Sequence, residues 1–220
     1  MVKECPPAPN NGGVGATCLI LSGSPIYWGL GGTAMTILEA VFLDRDGVLN
    51  PHIPGDYLYS ADKLVVLPGV AQAVRRLNDA GLPVIVISNQ QGVGKGLMTI
   101  DALLAIERRM GEVLAHEAGA HLDRCYYSTG LARENSPRRK PGPGMLLEAA
   151  HDFGLTLANT VFAGDSPTDI QAGHAAGVGR TILLLSGGVT EYAEGDFLPA
   201  PDLIFPDLPR MVEFLLENRA

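Results

Sequence analysis

From Leu38 onward, short apolar runs alternate with longer stretches of helical spacing, and this alternation restricts the chain more than any other feature. ILEAVFLD, LPVIVISN, DRCYYS, TVFAGD and RTILLLS read as buried strands. Between them, PGVAQAVRRLNDAG, TIDALLAIERRMGEVLAHEAG, PGMLLEAAHDFG and SPTDIQAGHAAG carry the periodicity of helices. Pro68 is expected to open the first helix and Gly81 to close it, while Thr99 is placed to cap the second. PDLIF and DLPRMVEFLLENR repeat the pattern as an edge strand and a closing helix. The expectation is an α/β fold, a Rossmann-like parallel sheet with helices on both faces. In such sheets ligands bind beyond the carboxyl ends of the strands, near the point where strand order reverses.

Polar residues gather at those ends. FLDRDGVLN places Asp44 and Asp46 after the first strand, where two unpaired carboxylates would repel each other and resist desolvation. Ser88 and Asn89 end the second strand, and Asp165 and Asp169 flank the start of the helix after TVFAG. A loop with Arg138, Arg139 and Lys140 precedes the third helix. Asp44, Asp46 and Asp165 are hard oxygen donors of the type that suits Mg²⁺. A carboxylate beside a cation can attack phosphorus, and a second one two residues on can protonate the leaving oxygen and then activate water. Ser88 and the Asn89 amide can donate to phosphoryl oxygens, and Lys140 can neutralise developing charge. The blander alternatives are a helix cap for Asp165, a helix-start role for Asp169 and a solvated basic loop for residues 138–140. SNQQGVGKG is not a nucleotide-binding P-loop, because Lys95 is followed by Gly96 rather than Ser or Thr. Its glycines are expected to let the chain turn tightly beside a bound phosphate.

Composition narrows the partners. A formal charge of -8 argues against a nucleic-acid binder, but local cations can still hold a small anion. Cys5, Cys18 and Cys125 are odd in number and form no CxxC pair, which suggests a reducing, cytoplasmic setting. No apolar run reaches the roughly 20 residues that span a bilayer. Residues 1–34, rich in Gly and Pro, read as an irregular extension before a domain over 35–220, with Met35 an alternative start and a weak signal peptide the minority reading. With no coiled-coil pattern, a monomer is expected. His52, His116, His121, His151 and His174 form no ligand spacing, although His52 lies close to the first acidic pair.

The ordered set DRDGV (44–48), Ser88 in VISNQ, Lys140 in RRKPGPG and GDSPTD (164–169) resembles the haloacid dehalogenase superfamily of phosphatases, over roughly residues 39–186. Within it, DRDGVLN, SNQQGVGKG and RKPGPGM look most like the branch acting on histidinol phosphate and D-glycero-D-manno-heptose 1,7-bisphosphate. The resemblance implies Asp44 as nucleophile and Asp46 as general acid/base. It implies Mg²⁺ on Asp44, the Asp46 carbonyl and Asp165, with Ser88 and Lys140 on the transferring phosphoryl. Asn89 and Arg139 would contact phosphate or sugar, and Asp169 would orient Lys140 or the metal shell. It implies a small phosphorylated sugar as substrate, the heptose bisphosphate at its 7-phosphate, with histidinol phosphate or a catalytically silent binding module as alternatives. No insert large enough for a cap domain is present, and PHIPGDYLYSADKLVVLPG reads as a flap. The branch often carries a Cys/His zinc loop before RKP; here Ser128, Gly130, Ser136 and Arg138 stand there, so no zinc is expected.

Overall fold

The computed structural model describes residues 27–28 and 36–217, with side chains over residues 38–217. Of the extension expected over 1–34, Tyr27–Trp28 (β1) is described, paired antiparallel with Thr36–Ile37 (β2). Cys5, Cys18, Met35 and the apolar stretch read as a weak leader lie outside the described residues.

Six strands form one parallel sheet: Ala40–Leu43 (β3), Val84–Asn89 (β4), Arg124–Ser128 (β5), Thr160–Gly164 (β6), Arg180–Leu184 (β7) and Leu203–Phe205 (β8). Their order is β5-β4-β3-β6-β7-β8, so the chain winds outward from β3, returns, and winds outward again from β6. The switch point lies between β3 and β6, where Leu43 pairs with Ala163. The residues that follow these two strands are Asp44 and Asp165.

Period-two alternation gives the sheet two apolar faces. Val41, Leu43, Val84 and Val86 pack with Val70–Asp79 (α1), Ile100–Ala118 (α3) and Leu208–Glu217 (α6). Ala40, Phe42, Ile85, Ile87 and Phe162 pack with Gly144–Phe153 (α4) and Pro167–Ala176 (α5). A four-residue helix, Gln91–Gly94 (α2), follows β4. Thr99 caps α3 as expected, its Oγ1 accepting from Ala102 N at 3.1 Å. Pro68 does not open α1: the capping residue is Gly69, left-handed at φ 76°, where a Cβ would press on Pro209 of α6. Residues 51–69 hold one 3₁₀ turn, Ala61–Lys63, and no cap domain. No described helix is long and apolar enough to cross a membrane.

Leu77, fully buried where α1 meets the sheet, reports on this packing. Leu77→Ala is expected to cost about 2–5 kcal/mol, read as a lower urea midpoint at unchanged m-value.

Candidate active site

At the carboxyl end of β3, Asp44 N donates to Ala163 O at 2.9 Å, which ties the first aspartate to β6. Asp44 Oδ1 accepts from Arg45 N at 2.7 Å and lies 2.9 Å from Lys140 Nζ. Lys140 is 3% exposed, and its ammonium also meets Asp169 Oδ1 at 2.6 Å and Ile87 O at 2.9 Å. Those three acceptors match its three hydrogens. Burial works against the Lys140 charge, but Asp169 and then Asp44 outweigh it and hold the ammonium above its ordinary value. Asn89 secures the main chain around it, donating from Nδ2 to Lys140 O and accepting from Lys140 N, both at 3.0 Å. The side chain expected at phosphate or sugar thus has its amide engaged with the lysine backbone.

Asp169 serves two neighbours. Its Oδ1 faces Lys140, while Oδ2 accepts from Ser166 N at 3.1 Å and Ser166 Oγ at 2.7 Å, closing the first turn of α5. The cap considered for Asp165 therefore falls to Ser166, and Asp169 takes the helix-start role considered for it while also meeting Lys140. Asp165 Oδ2 instead accepts from Gly188 N at 2.5 Å and lies 3.6 Å from His52 Nδ1. A Cβ at Gly47, itself left-handed at φ 84°, would collide with the Asp165 carboxylate, so the turn after β3 needs glycine twice over.

Asp46 has a different environment. Arg45 Nη2 donates to its Oδ2 at 2.9 Å and Oδ1 at 3.1 Å, Asn50 Nδ2 to Oδ1 at 2.8 Å, and Gln90 Nε2 to Oδ2 at 2.8 Å. Burial would raise its pKa, but Arg45 and the amide donors prevail and hold it below the ordinary value. Its side chain stays 28% exposed, open to the cleft. Motif reasoning misses Arg45, Asn50 and Gln90, although each lies within the quoted strings; no spacing rule marks them. Asp44, Asp46, Ser88, Lys140 and Asp165 line one cleft of about 180 Å³, which His52, Asp56, Tyr57 and Thr168 also border.

Arg139 stands outside that lining, with Nη2 on Gln91 Oε1 at 3.2 Å and Nη1 buried without a hydrogen-bond partner among the described residues. Arg138 turns away to Glu148 and Tyr127 O. The glycines after Gln90 do not approach the cleft as expected: Gly92 packs on the Tyr57 ring, and a Cβ on Gly94 would strike Thr129 O.

Asp44, Asp165 and Asp169 each offer an oxygen within 4.8 Å of the others, and among the described residues they form the single group of three or more possible His, Cys, Asp or Glu metal ligands. Burial is the largest influence on Asp44, raising it to about 6 against the pull of Lys140. Burial followed by the charges of Asp44 and Asp169 raises Asp165 to about 7. Hard oxygens carrying more negative charge than Lys140 offsets fit a divalent cation such as Mg²⁺. Cys125 offers no comparable thiolate, its thiol pushed up to about 12 by burial and then by Glu107. The cleft can therefore hold a cation and a phosphoryl group between a buried carboxylate and a second, hydrogen-bonded one.

Comparison with known proteins agrees with this chemistry. A model of the haloacid dehalogenase-like hydrolases matches residues 38–177. The D-glycero-D-manno-heptose-1,7-bisphosphate 7-phosphatase of Thermosynechococcus vestitus is 41% identical over 193 residues, spanning 82% of this chain and 97% of its own. The D-glycero-beta-D-manno-heptose-1,7-bisphosphate 7-phosphatase of Yersinia pestis is 32% identical, spanning 80% of this chain and 96% of its own. The crystal structure of D,D-heptose 1,7-bisphosphate phosphatase from B. bronchiseptica, complexed with magnesium and phosphate, superposes with a TM-score of 0.76 at 32% identity, covering 81% of this chain and 98% of that one.

Because Asp44 and Asp165 titrate higher in the fold than the 3.8 of a free aspartate, the folded protein binds their protons more tightly than the unfolded chain. Their contribution to stability is therefore greatest below 3.8 and is lost as pH rises through about 6 and about 7. Thermal melts in EDTA should show this decline from acid to neutral pH, and Asp44→Asn should flatten part of it. A decline of equal steepness in the variant would remove Asp44 as a source.

Proposed function

The chain belongs to the haloacid dehalogenase-like hydrolases, and from that premise we propose that it is a Mg²⁺-dependent phosphomonoesterase that removes the 7-phosphate of D-glycero-D-manno-heptose 1,7-bisphosphate. The observation that carries this reading is the meeting of Asp44, Lys140 and Asp165 at the β3/β6 switch point, with Asp46 hydrogen-bonded and open beside them. The substrate is inferred from relatives of that name, which align over most of their length and of this chain.

In this reading the 7-phosphate enters beside Lys140 and Ser88. Lys140 keeps Asp44 ionised and fixed, so that a carboxylate oxygen can attack phosphorus. As the aspartyl phosphate forms, the bond from phosphorus to the C7 oxygen breaks, and that oxygen takes a proton from Asp46. Asp46 is held ionised without substrate; a phosphate dianion arriving beside it favours uptake of the proton it then donates. In the second half Asp46 takes a proton from water, whose oxygen attacks phosphorus, releasing inorganic phosphate and restoring Asp44. Asp44, Asp165 and the main-chain carbonyl of Asp46 would hold Mg²⁺, which would supply the positive charge that lets anionic nucleophile and anionic phosphate approach. Asp169 positions Lys140 from behind. Asn89 acts on phosphate through the lysine backbone it clamps, and Arg139, with one unpartnered nitrogen, is assigned to the distal end of the substrate. His52, Asp56 and Tyr57 of the flap face the sugar.

We take the working unit as a monomeric domain over residues 35–220, cytoplasmic, without zinc, membrane or nucleic-acid partner. The charge of -8 supports the reading on nucleic acid, and the raised Cys125 thiol the reading on zinc.

Phosphate release from the heptose bisphosphate and from histidinol phosphate, each with Mg²⁺ and with excess EDTA, tests the reading. Release from the bisphosphate that EDTA abolishes is expected, with Asp44→Asn reducing turnover at least about 1,000-fold while melting normally. Release from histidinol phosphate alone would reassign the substrate, and release from neither would point to a silent binding module. Mg²⁺ should also raise the melting temperature more at neutral pH than at about pH 5, because protons compete for its carboxylates.

A further inference from the structure

Gln90 lies just beyond β4, 1% exposed, with its main-chain N–H donating to Ser128 O at 2.7 Å. Its Nε2 lies 2.8 Å from Asp46 Oδ2 and 3.0 Å from Ser88 Oγ. The orientation of the amide follows from chemistry: Asp46 Oδ2 also accepts from Arg45 Nη2, and a carboxylate paired with a guanidinium can only accept. The amide nitrogen, not its oxygen, must therefore face Asp46. That nitrogen carries two hydrogens, one for Asp46 and one for Ser88. In the second contact Ser88 Oγ is the acceptor, so its own proton points elsewhere. Among the described residues Gln90 is the hydrogen-bond partner of the Ser88 side chain, and Ser88 lines the cleft shared by Asp44 and Lys140.

We propose that Gln90 is a positioning residue: by donating to Ser88 Oγ it aims the Ser88 hydroxyl proton into the cleft, toward a phosphoryl oxygen, while its other hydrogen holds Asp46 beside the same group. The proposal deepens the phosphatase reading and rests on it. An apolar side chain of similar length would free the hydroxyl to rotate. A carboxylate would reverse the contact, because Ser88 would then donate to it and turn its proton away from phosphate.

The test is binding of inorganic phosphate to the Mg²⁺-loaded protein by titration calorimetry. It uses native protein, Gln90→Met, Gln90→Glu, Ser88→Ala and the Ser88→Ala/Gln90→Met double variant. Melting curves first establish that each is folded. Gln90→Met should weaken phosphate about 5-fold, the scale of one lost hydrogen bond, and Gln90→Glu should weaken it further. In the Ser88→Ala background, Gln90→Met should cost less than about 2-fold, because the hydroxyl it would misdirect is gone. Equal losses with and without the Ser88 hydroxyl would overturn the proposal, as would native affinity in Gln90→Met. If Gln90→Met does not fold, the isosteric Gln90→Glu and its cycle with Ser88→Ala decide the same question. Native protein that binds no phosphate would also overturn it. The measurement needs no turnover, so failure to hydrolyse the bisphosphate would refute the substrate and leave this result standing.

Discussion

The ammonium of Lys140 is the interaction on which the rest of the site depends. It joins three parts of the chain: Asp44 after β3, the Ile87 carbonyl in β4, and Asp169 in the first turn of α5. None of these groups is well placed alone. Two buried carboxylates without a cation would shed their charge, and a buried ammonium without acceptors would shed its own. Their mutual arrangement offsets part of that cost, and Lys140 keeps its charge out of water. The backbone that carries Lys140 is in turn fixed by Asn89, so β4 contributes both an acceptor for the ammonium and a clamp for its main chain.

The balance is incomplete, and its residue bears on the chemistry. Lys140 satisfies Asp44 and Asp169, but Asp165 faces the same region with, among the described residues, the Gly188 amide and a more distant His52 against it. Asp44 and Asp165 are therefore left with raised proton affinity at the place where a hard cation fits. A fold optimised for stability alone would have replaced one of them. Such local disagreement with good packing is expected where a site must bind something. Asp46 shows the reverse: the Arg45 guanidinium and the Asn50 and Gln90 amides already stabilise its charge.

Much of this architecture is legible in the amino-acid sequence. Strands with apolar residues on both faces and helices with one apolar stripe have distinct periods, so the order of β3 to α6 and the parallel sheet follow directly from the pattern. Asp44, Asp46, Ser88, Lys140 and Asp165 stand out because they follow strands or sit in a basic loop, and they do share one cleft. Contacts made across the fold are not legible in this way. Gly69 at the start of α1 is required by Pro209, 140 positions along the sequence, and nothing near Pro68 announces it. Arg45, Asn50 and Gln90 read as spacers within motifs: the turn at Gly47 that brings Arg45 and Asn50 to Asp46 has no signature of its own in single-sequence patterns, and Gln90 reaches Asp46 from the end of β4. Position in a motif groups Arg139 and Asn89 with phosphate; Asn89 does line the cleft, with its side-chain amide on the Lys140 backbone, whereas Arg139 reaches Gln91 outside that lining.

The division between rigid and variable parts follows from the topology. Strands β3 and β6 are neighbours in parallel register, Leu43 against Ala163, and the hydrogen bond from Asp44 N to Ala163 O carries that register one residue beyond β3. A carboxylate placed there gains precision from the backbone itself, and small displacements of functional groups are costly. The flap side of the cleft is built differently. His52, Asp56 and Tyr57 lie on a flap with one 3₁₀ turn, steadied where Tyr57 packs on Gly92 and accepts from Lys95 Nζ at 3.0 Å. Change in that flap can reshape the mouth of the cleft without moving Asp44 or Lys140. The clustered carboxylates and their lysine are therefore anchored to the sheet, where sequence patterns are strongest, and the outer wall of the cleft rests on a loop, where they are weakest.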